Sequence, residues 1–278
     1  MAAEPLAATE GTIESGDGTR LAYHAWPVTV GPITFAVVHG LGEHAGRYER
    51  FAHGMAAYQM GTYAVDLRGH GKSAGARGHI DAWSQWVDDA TLFVKYVESQ
   101  VGGEVVPLGH SFGGAVMLSA VRAGKLAHAR RFVVSSPALK LKVKVPGWKV
   151  GLAKLTSKVA PRIALDNEVD PKTISRIPEI VEAYRTDPLV HSKISSRTYA
   201  EWMRAARENL EHADEIKIPF MIVAGTDDPL IDPSGSEELH RKAPKMSELR
   251  IFEGRFHEPF NDLGSDEVFA AIAGWLRR

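Results

Sequence analysis

Short apolar runs of strand length alternate along this chain with stretches of helical period. Ile33 to Val38, Val105-Val106-Pro107-Leu108, Phe132 to Ser136, Phe220 to Ala224 and Leu249 to Phe252 are four to six residues long, and the first four are almost unbroken by charge. An apolar run with no polar face reads as a strand covered on both sides, as in a mostly parallel sheet with helices on either face. Helical signals fall between them, the clearest being Ala115 to Val121. The alternation runs from Ala36 to Ser136 and resumes from Phe220 to Trp275, so the expected class is α/β. Between about Pro137 and His212 the rhythm breaks. Residues 1–136 and 213–278 are therefore expected to form one core, with 137–212 an inserted cap or lid.

Within that insertion Trp148, Leu152, Leu155 and Val159 recur at helical spacing, with Lys149, Lys154 and Lys158 between them. Lys140, Lys142, Lys144 and Arg162 extend the basic run, and no Asp or Glu occurs between Pro137 and Leu165. Such a helix can lie on an anionic membrane, or it can pack its apolar face over a pocket with its lysines in water. A short lid can do both at different times.

Chemistry enters at Gly109-His110-Ser111-Phe112-Gly113-Gly114, where a buried strand hands over to an apolar helix. In that setting G-x-S-x-G reads as a nucleophile elbow, a strained turn that lifts the serine hydroxyl above the sheet. The pattern alone is weak, since Gly71-Lys72-Ser73-Ala74-Gly75 repeats it. Ser73 is followed by Ala-Gly-Ala-Arg-Gly, a poor start for a helix, and is expected in a loop. The bland reading of Ser111 is a helix cap.

An activated serine needs a histidine to take its proton and a carboxylate to orient the histidine, in the chain order Ser, acid, His. After Phe220 to Ala224 come Asp227 and Asp228, and after Leu249 to Phe252 comes His257. All lie at carboxyl ends of strands, where open α/β sheets gather their ligands. Spacing alone leaves Asp227 and Asp228 open as the acid. The oxyanion would take backbone N–H groups from Phe112 and from Leu41, in His39-Gly40-Leu41-Gly42 after an early strand.

Two cofactor readings compete for the same segments. Gly40-Leu41-Gly42-Glu43-His44-Ala45, with Asp66 about 20 residues on, matches a dinucleotide fingerprint. Against it, Glu43 would bring negative charge into the pyrophosphate cradle, and Ser111, Asp228 and His257 would be left without a role. Gly71-Lys72-Ser73 resembles the tail of a phosphate loop, but its opening glycine falls on Asp66 and no helix comes after it, so no nucleotide is expected.

Together, His39 to His44 with Arg47-Tyr48, Asp66 to Ser73 with Arg77-Gly78-His79, the elbow, Thr186 to Val190, Gly225 to Leu230 and Phe256-His257-Glu258 resemble the monoacylglycerol lipase branch of the α/β-hydrolases. The blocks run in order from about residue 20 to the C-terminus. The resemblance implies an α/β-hydrolase fold with a cap that holds an acyl chain. It also implies that the acid is the fourth residue of G-x-x-D, which is Asp228. The family's glutamate and arginine fall on Glu43 and Arg47, implying a polar patch near a glycerol head group; a buried ion pair that fixes the loop is the alternative. Two departures stand out. Pro107 interrupts the strand before the elbow and is expected at a bulge or at the last turn. Phe260 stands where some animal relatives carry a second histidine that touches glycerol.

Composition narrows the reading a little further. The 278 residues, 44% of them hydrophobic, can bury one large core. The absence of cysteine excludes disulfides, thiol nucleophiles and thiolate metal sites. There are 12 histidines but no H-E-x-x-H pair, and neither metal nor cofactor is expected. A net charge of −1, with basic residues confined to one segment, speaks against nucleic acid. The N-terminus lacks the regions of a signal peptide and no run reaches membrane-spanning length, so the expected compartment is the cytoplasm. The expected function is hydrolysis of a monoacylglycerol through an acyl-enzyme. Lysophospholipase or broad carboxylesterase activity is the near alternative, and a nicotinamide oxidoreductase or an inactive hydrolase-fold binding protein the distant ones.

Overall fold

The computed structural model describes residues 6–28, 31–142, 156–157, 159–167 and 169–278. Eight strands form one sheet in the order β1-β2-β4-β3-β5-β6-β9-β10. They are β1 (Thr9–Glu14), β2 (Arg20–Trp26), β3 (Ile33–Val38), β4 (Met60–Val65), β5 (Glu104–His110), β6 (Phe132–Ser135), β9 (Phe220–Gly225) and β10 (Ser247–Phe252). The β1-β2 and β2-β4 pairs are antiparallel and the rest of the sheet is parallel.

Every residue of β3 is buried, because helices cover both faces of the sheet and the pleat sends neighbours to opposite sides. Phe35 and Val37 join a cluster with α1 (Glu49–Ala56) and α7 (Ser265–Leu276). Ala36 and Val38 join another with α2 (Trp83–Gln100) and α3 (Phe112–Arg122). The apolar runs thus lack a polar face because the sheet has no wet side at its centre.

Pro107 lies inside β5 without a bulge. The register with β3 is unbroken from Ile33↔Glu104 to Val38↔Gly109 and pairs Ala36 with Pro107. The ladder with β6 begins only at Leu108, so the proline stands just beyond its end. The expectation of a bulge is corrected accordingly.

Between β6 and β9 the chain leaves the sheet. Its described part contains the two-stranded pair β7 (Ala164–Asp166) and β8 (Lys193–Ser195), then α4 (Pro178–Thr186) and α5 (Ser196–Glu211). Trp202, Ala205, Ala206 and Leu210 of α5 belong to the cluster that contains α3. That helix is as much part of the layer covering the sheet as of the insertion. The expected helix over Trp148 to Val159, with Lys149, Lys154 and Lys158, lies almost entirely outside the described residues; Val159 is 74% exposed.

Backbone hydrogen bonds tie this segment to the loops at the carboxyl edge of the sheet. The Ala138 N–H donates to Ser111 O, the Glu258 N–H to Ile174 O, the His191 N–H to Gly42 O and the Ser195 N–H to Gly78 O.

Candidate active site

Ser111 comes directly after the last residue of β5 and caps α3, with φ 52° and ψ −117°. A non-glycine residue in this region is strained, and such strain persists only where the surroundings enforce it. Here the Ser111 N–H donates to Ser135 O, and the Ser111 carbonyl accepts from Gly114, Ala115 and Ala138. Gly113 permits the crossing, since a Cβ there would stand 2.3 Å from Val38 O.

The hydroxyl meets His257, whose Nε2 is 2.9 Å from Ser111 Oγ. The other ring nitrogen, Nδ1, is 2.7 Å from Asp228 Oδ2. Asp228 Oδ1 accepts from the Leu230 and Ile231 N–H groups, so the turn after β9 aims the carboxylate. Burial disfavours charge on His257, but Asp228, with Glu258 and Glu43 beyond it, holds its pKa above the ordinary imidazole value. Burial likewise opposes charge on Asp228, yet His257 and the two N–H groups bring its pKa below the usual one. Asp227, the competing acid, points into solvent and accepts from Thr226.

The loop after β3 borders the same space. A Cβ on Gly40 would lie 3.3 Å from that of Ser111, so only glycine sits comfortably there. Among the described residues no acceptor takes the N–H of Leu41 or of Phe112, leaving both available to an anion.

Glu43 and Arg47 form a buried ion triad with Glu258. Arg47 Nη1 donates to Glu43 Oε2 at 2.7 Å, and Nη1 and Nη2 donate to the two oxygens of Glu258 at 2.7 and 2.8 Å. Glu43 Oε1 also accepts from Gly40 N and Tyr48 Oη. Burial would raise the Glu43 pKa, but Arg47 outweighs it and holds it at about 2. Arg47 stacks 4.6 Å over the Tyr184 ring, a cation on a π face. The ion pair expected as the alternative is present, with Glu258 as a third member; Glu43 also borders the cavity, and Arg47 is not among the lining residues.

Glu258, Tyr48, Tyr184 and His110 were assigned no role from sequence. Glu258 and Tyr48 stand inside motifs that drew notice, but nothing in the pattern said that they converge. His110 packs 5.0 Å from His257, and burial, aided by His257, pushes its pKa down to about 4. Phe260 is buried against Phe51 and does not line the cavity.

The rival motifs resolve into structure. The Gly40 N–H, needed for a pyrophosphate cradle, is taken by Glu43, and the Asp66 carboxylate is spent on the N–H groups of Ala45 and Lys72. Ser73 Oγ donates to Asp66 O and accepts from Ala22 N, as a loop residue does. Among the described residues no group of side chains could hold a metal ion.

A cavity of about 530 Å³ opens over Ser111. Its walls are mainly apolar, with Leu41, Phe112, Leu141, Ile194, Trp202 and Ile231 among them, and Glu43, Glu258, His110, Asp166 and Asn167 add polar groups. That volume lies within the ordinary range for small-molecule sites.

A serine on an elbow, facing His257 and Asp228 from strand ends along one edge of a mostly parallel sheet, is the arrangement of an α/β-hydrolase. Comparison with known proteins is more specific. Residues 33–264 match the family described as serine aminopeptidase, S33. An abhydrolase-domain-containing protein of Dictyostelium discoideum is 33% identical over 267 residues, covering 95% of this chain and 28% of that one, so the chain spans less than a third of that relative. A monoacylglycerol lipase of Mycolicibacterium smegmatis is 33% identical over 93% of each chain. The crystal structure of Paleococcus ferrophilus monoacylglycerol lipase superposes with a TM-score of 0.80 at 31% identity, over 97% of this chain and 98% of that one. The chain belongs to the serine aminopeptidase S33 family of serine hydrolases.

Proposed function

We propose that this protein hydrolyses single-chain acyl esters, monoacylglycerol foremost, to a fatty acid and glycerol. The observation that carries the reading is the mainly apolar cavity over Ser111, with a few polar side chains in its wall. Burying an acyl chain contributes about 0.8 kcal/mol per methylene, so such a wall favours lipid over peptide. Peptide substrates with a free amino terminus would need a carboxylate free to meet an ammonium. Of the carboxylates lining the cavity, Glu43 and Glu258 are already engaged with Arg47, and Asp166 accepts from Ser192 Oγ. The names of the mycobacterial and archaeal relatives support the same choice.

In this mechanism Ser111 is the nucleophile. As its Oγ attacks the ester carbonyl, its proton passes to His257 Nε2, and Asp228 stabilises the resulting imidazolium. The N–H groups of Leu41 and Phe112 receive the oxyanion. His257 returns the proton to the departing glycerol oxygen, which leaves an acyl-Ser111. Water, deprotonated by the same histidine, then releases the fatty acid and restores the serine. Glu43 and Glu258 accept from the hydroxyls of the head group, and Arg47 holds both in place. No metal or cofactor takes part.

Residues 137–212 act as a cap over the acyl chain. Val159 is exposed, and Ile163 and Leu165 are half-exposed where they border the cavity, all in the acid-free stretch of that segment. Apolar groups among lysines suit brief contact with an anionic lipid surface. Among the described residues no helix is long and apolar enough to cross a membrane; the proposed place of action is the cytoplasm, touching membranes peripherally.

The test is a matched panel of monoacylglycerol, diacylglycerol, triacylglycerol, lysophosphatidylcholine, short nitrophenyl esters and an aminoacyl anilide. Monoacylglycerol should give the highest kcat/KM, and a fluorophosphonate should label Ser111. Preference for lysophosphatidylcholine would move the head-group assignment, and preference for the anilide would overturn the lipid reading.

A further inference from the structure

We propose that Trp202 is a positioning residue for the nucleophile, its indole N–H holding the first residues of the insertion as a splint between the turn that carries Ser111 and the loop that carries Asp228. This rests on the assignment of Ser111 and Asp228 above and names what keeps the two turns in register. Residues 138–142 run from one to the other. At one end the Ala138 N–H donates to Ser111 O at 2.9 Å. At the other, Leu141 forms an antiparallel bridge with Ile231, the Lys142 N–H donates to Leu230 O at 2.9 Å, and the Asp232 N–H donates to Lys140 O at 3.0 Å. The Lys142 ammonium adds a bond to the Asp228 carbonyl at 2.9 Å.

The Ala138 bond matters because of what it restrains. Ser111 sits at φ 52°, a conformation that lasts only where neighbours enforce it. Its carbonyl has three donors. Gly114 at 3.0 Å and Ala115 at 3.2 Å belong to the helix it caps, and Ala138 at 2.9 Å is the one that reaches in from outside. Ser111 C=O and Phe112 N–H share one planar trans unit, so the same bond also fixes the direction of the Phe112 amide.

Trp202 holds the splint in place. Its Nε1–H donates to Ala138 O at 2.9 Å, so both polar groups of that buried residue are taken, one by the carbonyl of the nucleophile and one by the indole. The indole stands on a fixed base. Further along α5, Asn209 donates to Ala115 O and accepts from Ser119 Oγ, which joins that helix to α3. The Trp202 ring also meets Phe112 edge-on at 5.4 Å and borders the cavity, so one side chain serves as wall and as support for the elbow.

The test removes the N–H and keeps an aromatic ring, in Trp202→Phe and in a protein carrying benzothienylalanine, the sulfur isostere of tryptophan, at position 202. Rates are read per fluorophosphonate-labelled serine, on monoacylglycerol and on nitrophenyl acetate, which has no acyl chain to rest on the indole. Both proteins should lose about tenfold or more in kcat on both substrates, the scale of a slightly misplaced nucleophile, while KM for nitrophenyl acetate changes less than about threefold. Fluorophosphonate labelling should slow in parallel. A raised KM for monoacylglycerol with unchanged turnover of nitrophenyl acetate would overturn the proposal and leave Trp202 as acyl wall alone. Unchanged kcat per labelled serine beside a lowered Tm would overturn it too, since that is the mark of a purely structural part. The benzothienyl protein keeps the shape of the ring and decides the matter if Trp202→Phe does not fold. Retained activity in Ser111→Ala would instead bring down the assignment of the nucleophile, so the two failures are distinguishable.

Discussion

Ser73 and Ser111 stand in the same five-residue pattern, and the fold puts them to opposite uses. Ser73 spends its hydroxyl on the backbone, donating to Asp66 O and accepting from Ala22 N, and so pins the loop after β4 to β2. Ser111 sits at φ 52° with its hydroxyl against His257. The difference lies in the next stretch of chain. After Ser111 it turns at once into the buried α3, whereas after Ser73 it stays irregular as far as α2. Strain at Ser111 frees its hydroxyl from local partners; relaxation at Ser73 consumes it. A glycine-flanked serine becomes a nucleophile only where packing denies it ordinary hydrogen bonds and offers a base instead.

Removing each hydroxyl should separate the two sites most sharply. Ser111→Ala is expected to lower kcat by roughly 10⁴- to 10⁶-fold, and adding His257→Ala should cost little more, because the residues act as a unit. Steady-state rates on monoacylglycerol check this, and substantial turnover by Ser111→Ala would break the comparison at its root.

The adjacent aspartates repeat the contrast one residue apart. Asp228→Asn should cost about 10⁴-fold in kcat, since the amide favours the wrong imidazole tautomer. Exposed Asp227→Asn should stay within a few-fold, and the opposite ranking in parallel kinetics would shift the acid by one position.

A smaller effect concerns the surroundings of the base. His257 must be neutral to accept the serine proton, so kcat/KM falls as pH drops through its pKa, which lies above the ordinary value of 6.5. Glu258 contributes to that elevation. In Glu258→Gln the pKa should therefore fall and the acid limb of the kcat/KM profile move to lower pH. An unmoved limb would remove Glu258 from the electrostatics of the base. The same change leaves Arg47 paired with Glu43 but weakens its hydrogen bonds to position 258, and urea melts should record about 1–3 kcal/mol of lost stability.

The smallest catalytic effect belongs to Ser73→Ala. It should leave kcat within about twofold while the buried Ala22 N–H loses its acceptor, a cost of about 1–3 kcal/mol. For a chain of this size that lowers Tm by a few degrees, roughly 2–4 °C per kcal/mol. Calorimetry beside kinetics checks both halves, and a large fall in kcat would make the second elbow more than a structural turn.

Much of this was legible along the chain. The apolar runs became strands because both faces of the sheet are covered, and Ser111, Asp228 and His257 came together because each ends a strand at the same edge. Pro107 was misjudged because only the pairing pattern shows where the β6 ladder begins. That α5, within residues 137–212, reaches the elbow is visible only in the structure, where Trp202 packs 5.4 Å from Phe112, the residue after Ser111.

By itself the sequence determined what is local and periodic: the strand runs, the glycines that allow the elbow, the order of serine, acid and histidine, and the absence of thiols. Only the tertiary structure decided what depends on convergence. Of the two adjacent aspartates it is Asp228 that turns inward onto His257, while Asp227 is exposed. Arg47 is a bridge because Glu258, 211 positions away, arrives on its other side. His39 is held between Gly40 O and the N–H of Leu67, which comes from another strand end. Hydrogen bonds and ion pairs of this kind join residues far apart in the chain, and one-dimensional patterns carry no record of them until burial and direction are fixed by the fold.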